Sequence, residues 1–173
     1  MRPKENDYHA AYARYIAGVP ETDVLGAMAE QSSETQKFLA GIDESRAGFR
    51  YADGKWSIKE VLGHLVDAER VMSYRAMAIA RGEAQSLPGF EEDDYVRNAA
   101  FDSWRLGDLA EAYALGRRSN LVFFTNLPAE AWDRRGTAND WPVTPRALAY
   151  IIVGHVVHHV AILRERYGVE EHG

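Results

Sequence analysis

The sequence predicts an all-α fold, a four-helix bundle with a long crossover connection between helices 2 and 3. Three observations carry this reading: four stretches with apolar residues at three-and-four spacing, capping or proline signals at their ends, and one extended connection in the middle. With 173 residues, 46% of them hydrophobic, the chain has the size and apolar content of a single domain spanning 1–173.

The first helix follows Val19-Pro20 and runs from roughly Thr22 to Ile42, with Val24, Leu25, Met28, Phe38, Leu39 and Ile42 inward. Its middle, Gln31-Ser32-Ser33, is weak. Upstream, Tyr8, Tyr12 and Tyr15 stand at helical spacing and are expected to pack on the body as a short arm. The second helix starts at Ser57, whose N-cap is completed by Glu60 as a capping box, and extends to about Arg81. Val61, His64, Leu65, Ala68, Met72 and Ile79 form its buried stripe. Tyr74 reads as a packing residue and Arg75 as a surface or ion-paired one.

The connection from Gly82 to Trp104 is too long to be structureless in a compact domain. A short helix near Asp93 to Ala99, or a cover over a site, is expected there. Its acidic run, Glu91 to Asp94, reads as solvated surface. The third helix spans Leu106 to Leu127, with Leu109, Tyr113, Leu121 and Phe124 inward, and Pro128 ends it. An irregular segment with Trp132, Gly136, Trp141 and Pro142 follows. Thr144 then caps the fourth helix, Pro145 takes its first position, and Gly168 stops it after Tyr167. That helix is apolar over most of its circumference, so it should be covered on nearly every side, and a second subunit is one way to cover it. A homodimer is therefore expected.

Composition narrows the function. A net charge of -6 and the lack of a basic cluster oppose nucleic-acid binding. The absence of cysteine excludes disulfides, cysteine-based zinc sites and a protein thiol nucleophile, so any thiol chemistry needs a cosubstrate. The first seven residues lack the apolar core of a signal peptide, which makes the cytoplasm the expected compartment. The most apolar stretch, Ala147 to Leu163, is short for a membrane span and carries three histidines, so burial in the bundle is expected instead.

Those histidines carry the chemistry. His155 and His159 differ by about 40° in azimuth and about 6 Å in height on an ideal helix, so both can reach one ion. They interrupt an apolar face with Leu148, Ile152, Ile162 and Leu163, as His64 interrupts its own stripe. Three imidazoles meeting in a core without obvious carboxylate partners would be costly unless a metal held them. His158 lies on the other side of His155 and reads as a packing or supporting residue. His9 and His172 lie near the termini and carry no argument. A set of three neutral nitrogens leaves positions for water or substrate, the mark of a catalytic rather than a structural site.

Lys55-Trp56-Ser57-Ile58-Lys59-Glu60-Val61-Leu62-Gly63-His64-Leu65, Asp67-Ala68-Glu69-Arg70 and Gly154-His155-Val156-Val157-His158-His159 together resemble the DinB/YfiT-like family of metalloenzymes. The likeness continues through Tyr74-Arg75, Leu87-Pro88-Gly89-Phe90, Leu127-Pro128 and Ala147-Leu148-Ala149-Tyr150-Ile151-Ile152. It implies a dimeric bundle with one divalent metal held by His64, His155 and His159, and leaves His158 outside the ligand set. By the chemistry of nitrogen ligands, zinc, nickel, iron and copper all suit such a set, with zinc or nickel expected first and iron next. It also implies a transferase coupling a low-molecular-weight thiol to a small electrophile. A metal-dependent hydrolase using the same site and a non-enzymatic stress-response protein with a structural metal are the alternatives.

Overall fold

The computed structural model describes residues 1–20 and 22–170, which leaves His172 outside the description. Its helices are α1 (Ala13–Ala17), α2 (Val24–Ala40), α3 (Ile58–Ala80), α4 (Glu92–Ala99), α5 (Leu106–Thr125) and α6 (Pro145–Tyr167). The long four form the bundle, with α3 packed on α5 and α6, and α2 on the same two.

Local chemistry starts and stops these helices as expected. Ser57 Oγ accepts from the Glu60 N–H at 3.1 Å, and the Ser57 N–H donates to the Glu60 carboxylate at 2.7 Å, so the capping box of α3 is closed. Thr144 Oγ1 accepts from the Ala147 N–H at 3.1 Å, and Gly168, at φ 62°, ends α6 in the left-handed region. In α6 every residue from Ala147 to Val156 is buried, whereas Val157 is exposed. Near-complete cover is therefore confined to the N-terminal part of the helix. By length and composition α6 could cross a membrane, but 61% of its most apolar window is buried inside the bundle.

The weak middle of α2 does not break it, because Gln31 finds tertiary partners. Its amide donates to the Val153 carbonyl at 2.9 Å and accepts from Arg117 Nη1 at 2.7 Å. Arg117, fully buried on α5, also makes a two-pronged bond to Glu69 on α3, at 2.7 and 3.0 Å, and Asn120 donates to the same carboxylate at 2.8 Å. One polar network thus joins α2, α3, α5 and α6. The stripes assigned from apolar spacing did not include it.

The segment expected to be irregular contains a hairpin. β1 (Gly136–Ala138) pairs antiparallel with β2 (Trp141–Val143), and Asn139 and Asp140 between them have φ of 53° and 60°. A two-residue turn of this kind needs positive φ at both positions, which Asn and Asp tolerate better than most residues. The crossover between α3 and α5 contains α4, near the expected place, and is tied to the hairpin at Leu87. The Leu87 N–H donates to the Thr137 carbonyl, and the Asn139 N–H to the Leu87 carbonyl, each at 2.9 Å. This tie places Pro88, Gly89 and Phe90 over one side of the bundle.

The tyrosine arm packs on the body as expected, with Tyr8, Tyr12 and Tyr15 partly buried against the core. Leu25 and Leu121, expected inward, are only partly buried at its edge. Close approach of the arm depends on Gly154, where a Cβ would stand 2.0 Å from the Tyr15 carbonyl oxygen. Because that oxygen is backbone, it cannot rotate away. Gly154→Ala is expected to cost about 1–3 kcal/mol by overpacking and to lift Tyr15 off α6. Urea unfolding checks this, and unchanged stability would refute the tight contact.

Candidate metal centre

His64 comes from the buried stripe of α3, and His155 and His159 from successive turns of α6. His64 Nε2 lies 3.0 Å from His155 Nε2, which lies 3.1 Å from His159 Nε2. Their ligand atoms all fall within 4.8 Å of one another, and His158 is not a member of the group. His158 instead packs its ring edgewise against Tyr15 and His159, with centroids 5.6 and 5.1 Å away.

Three ring nitrogens in one small triangle fit a metal better than hydrogen bonding alone. A neutral imidazole carries a single N–H, so each close nitrogen pair needs one ring to donate and its neighbour to accept. Nitrogens bonded to one ion at about 2.0–2.1 Å come within roughly 3 Å of each other, the separation found here. All donors are neutral nitrogens, a set that suits zinc, nickel and iron.

The surroundings keep the rings neutral. Burial pushes His64 down to about 4 against a weaker opposing pull from the Asp93 carboxylate. His159 is pushed down to about 3 by burial first and then by His64, His158 and Arg14. His155 is lowered well below the usual histidine range, again chiefly by burial. The Trp56 ring stands 4.8 Å from His64, and the Tyr15 ring 5.4 Å from His155, walling the site on two sides.

These shifts predict a pH dependence for the metal-free protein. Unfolded histidines take up protons below about 6.5, while the folded ones resist until far lower, so the unfolded state binds more protons in between. Stability is fully present above pH 6.5 and is lost as pH falls through 4 toward 3, by an amount on the order of a few kcal/mol. Denaturant titrations of chelator-treated protein across that range check it; a flat profile would contradict the burial.

One side of the site opens into a cavity of about 230 Å³, whose lining includes His155, Tyr12, Tyr15, Arg75, Phe90, Glu92 and Trp141. Arg75 was expected at the surface or in an ion pair, but it is 3% exposed and its bonds go to neutral acceptors. Tyr74, expected to pack, is 54% exposed. The helix stripe explains the exchange, since Arg75 follows His64 by eleven residues and returns to nearly the same face. The acidic run is exposed as expected, yet Glu92 also lines the cavity, where burial first and then the Asp93 and Glu91 carboxylates raise its carboxyl against the pull of Arg14.

Residues 27–163 match the DinB superfamily. The fold is similar to that of YfiT from Bacillus subtilis, described as a probable metal-dependent hydrolase with an unusual four-helix bundle topology. The TM-score is 0.73 at 16% identity, over 98% of this chain and 95% of that one. It is also similar to a mycothiol-dependent maleylpyruvate isomerase, with a TM-score of 0.67 at 14% identity, over 84% of this chain. This chain covers 61% of that protein, less than two thirds of its length. Comparison with curated proteins finds no match. At these identities the two structures speak for the fold, and the four-helix bundle expected from the sequence is the one found.

Proposed function

The chain belongs to the DinB superfamily, and from that membership we propose a metal-dependent enzyme in which His64, His155 and His159 hold one divalent ion. The observation that carries this reading is the convergence of the three Nε2 atoms, two of whose separations are 3.0 and 3.1 Å, beside a cavity that His155 itself lines. Zinc, nickel or iron, once bound, would lower the pKa of a thiol or a water so that its anion prevails near neutral pH.

The reaction we infer is transfer of a low-molecular-weight thiol to a small electrophile. A chain without cysteine must take its thiol from a cosubstrate, and one structural neighbour is mycothiol-dependent. The protein's part is to hold the rings neutral by burial, to exclude water with the Trp56 and Tyr15 rings, and to orient the electrophile in the cavity. A hydrolytic reading is favoured by one residue. Glu92 lines the cavity with a carboxyl raised by burial and by the neighbouring Asp93 carboxylate, as suits a group that takes a proton from water.

The test is a screen of metal-free protein reloaded with zinc, nickel or iron, using bacillithiol, mycothiol and glutathione against aromatic and epoxide electrophiles and against esters. Turnover requiring both metal and thiol is expected. Ester cleavage without thiol would establish the hydrolase. No turnover, together with a sharp fall in thermal stability on chelation, would leave a structural metal in a non-enzymatic stress protein.

A further inference from the structure

Two arginines are buried in this bundle, and the protein treats them differently. Arg117 has its charge matched by a two-pronged bond to the Glu69 carboxylate. Arg75 is 3% exposed and has no ion pair among the described residues. Its Nη2 donates to the Pro88 carbonyl at 2.7 Å, its Nη1 to the Met72 sulfur at 3.7 Å, its guanidinium also hydrogen-bonds the Tyr12 hydroxyl, and it lies 5.8 Å from the Phe90 ring centroid. All of these partners are neutral. A buried cation without a counter-ion is costly, so its retention needs a reason.

Its position supplies one. His64, Ala68, Met72 and Arg75 form one stripe of α3, and the last three line the cavity with Ile151 and His155 of α6. Helical side chains lean toward the helix N-terminus, so Arg75 leans back along this stripe toward the histidines. The cavity therefore runs from His155 to Arg75 over an apolar floor of Ala68, Met72 and Ile151, with Arg14 and Glu92 also in its lining.

We propose that Arg75 is the binding residue for a carboxylate on the substrate, a small organic acid with an apolar or aromatic body that reacts at the histidine end. The planar guanidinium matches a carboxylate with two parallel N–H donors. The cavity, about 230 Å³, admits only a small ligand. The proposal deepens the enzyme reading above and rests on it for the reaction, though not for the binding.

The probe is benzoate, with benzamide as its neutral isostere, titrated calorimetrically into metal-loaded and chelator-treated protein whose metal content is measured on the same samples. Wild type should bind benzoate at least tenfold more tightly than benzamide. Arg75→Gln should abolish that preference by weakening benzoate far more than benzamide, and Arg75→Lys should reduce it at least threefold, because an ammonium lacks the two-pronged fork. A preference that survives chelation supports the arginine subsite whatever becomes of the metal. Equal binding of the two ligands by wild type, a preference undiminished in Arg75→Gln, or one that disappears on chelation would overturn the proposal. If Arg75→Gln does not fold, the wild-type pair and Arg75→Lys decide, and an undiminished preference in the lysine variant would also overturn it.

Discussion

Replacing His155 by alanine is expected to strip most of the metal from a protein that otherwise carries about one ion per chain, a loss of tenfold or more in affinity. His155 is the middle member of the triangle, since its Nε2 lies at 3.0 and 3.1 Å from the other two ring nitrogens. Without it the remaining pair sits on two different helices, with no nitrogen bridging them. His158→Ala should retain near-normal metal, because His158 stands outside the convergent group. Elemental analysis after gel filtration separates the two variants. Equal metal contents in wild type and His155→Ala would remove the basis of the proposed centre. Because burial depresses the three imidazoles, protons should not displace the metal until pH falls well below the ordinary histidine range.

The second large effect concerns stability. Glu69→Gln leaves Arg117, fully buried, without its counter-ion, and is expected to cost about 3–5 kcal/mol. Arg117→Met should cost a similar amount by stranding the carboxylate. The double variant Glu69→Leu/Arg117→Met should recover much of the loss, since apolar groups can replace a buried pair where a lone charge cannot stand. Urea unfolding of the three variants provides the comparison. Single-variant losses below about 1 kcal/mol would mean that water reaches the pair. The same network should also influence the metal centre, because Gln31 links it to the Val153 carbonyl, two residues before His155.

Much of this architecture was legible because it is local. The Ser57–Glu60 box and the Thr144-Pro145 start read correctly, since a cap is made by residues within one turn of each other. His64, His155 and His159 stood out because a polar ring on an apolar stripe is visible from spacing. The hairpin was missed because strands of three residues carry too little alternation to register, and only Asn139-Asp140 hinted at the turn. Arg75 was misread because a charged side chain usually faces water, and its principal acceptor, the Pro88 carbonyl, belongs to the crossover. Glu69, Arg117 and Gln31 escaped for the same reason, since each is tolerable in a core only because the other two arrive from different helices.

Helix extents, caps and the candidacy of three histidines thus followed from interactions among near neighbours in the chain, which spacing records. The contact of their nitrogens, the pairing of one buried arginine and, among the described residues, the lack of a counter-ion for the other depend on groups 91, 48 and 13 residues apart. No periodicity encodes such approaches, because they form only when helices pack and desolvation makes every unmatched charge or donor expensive.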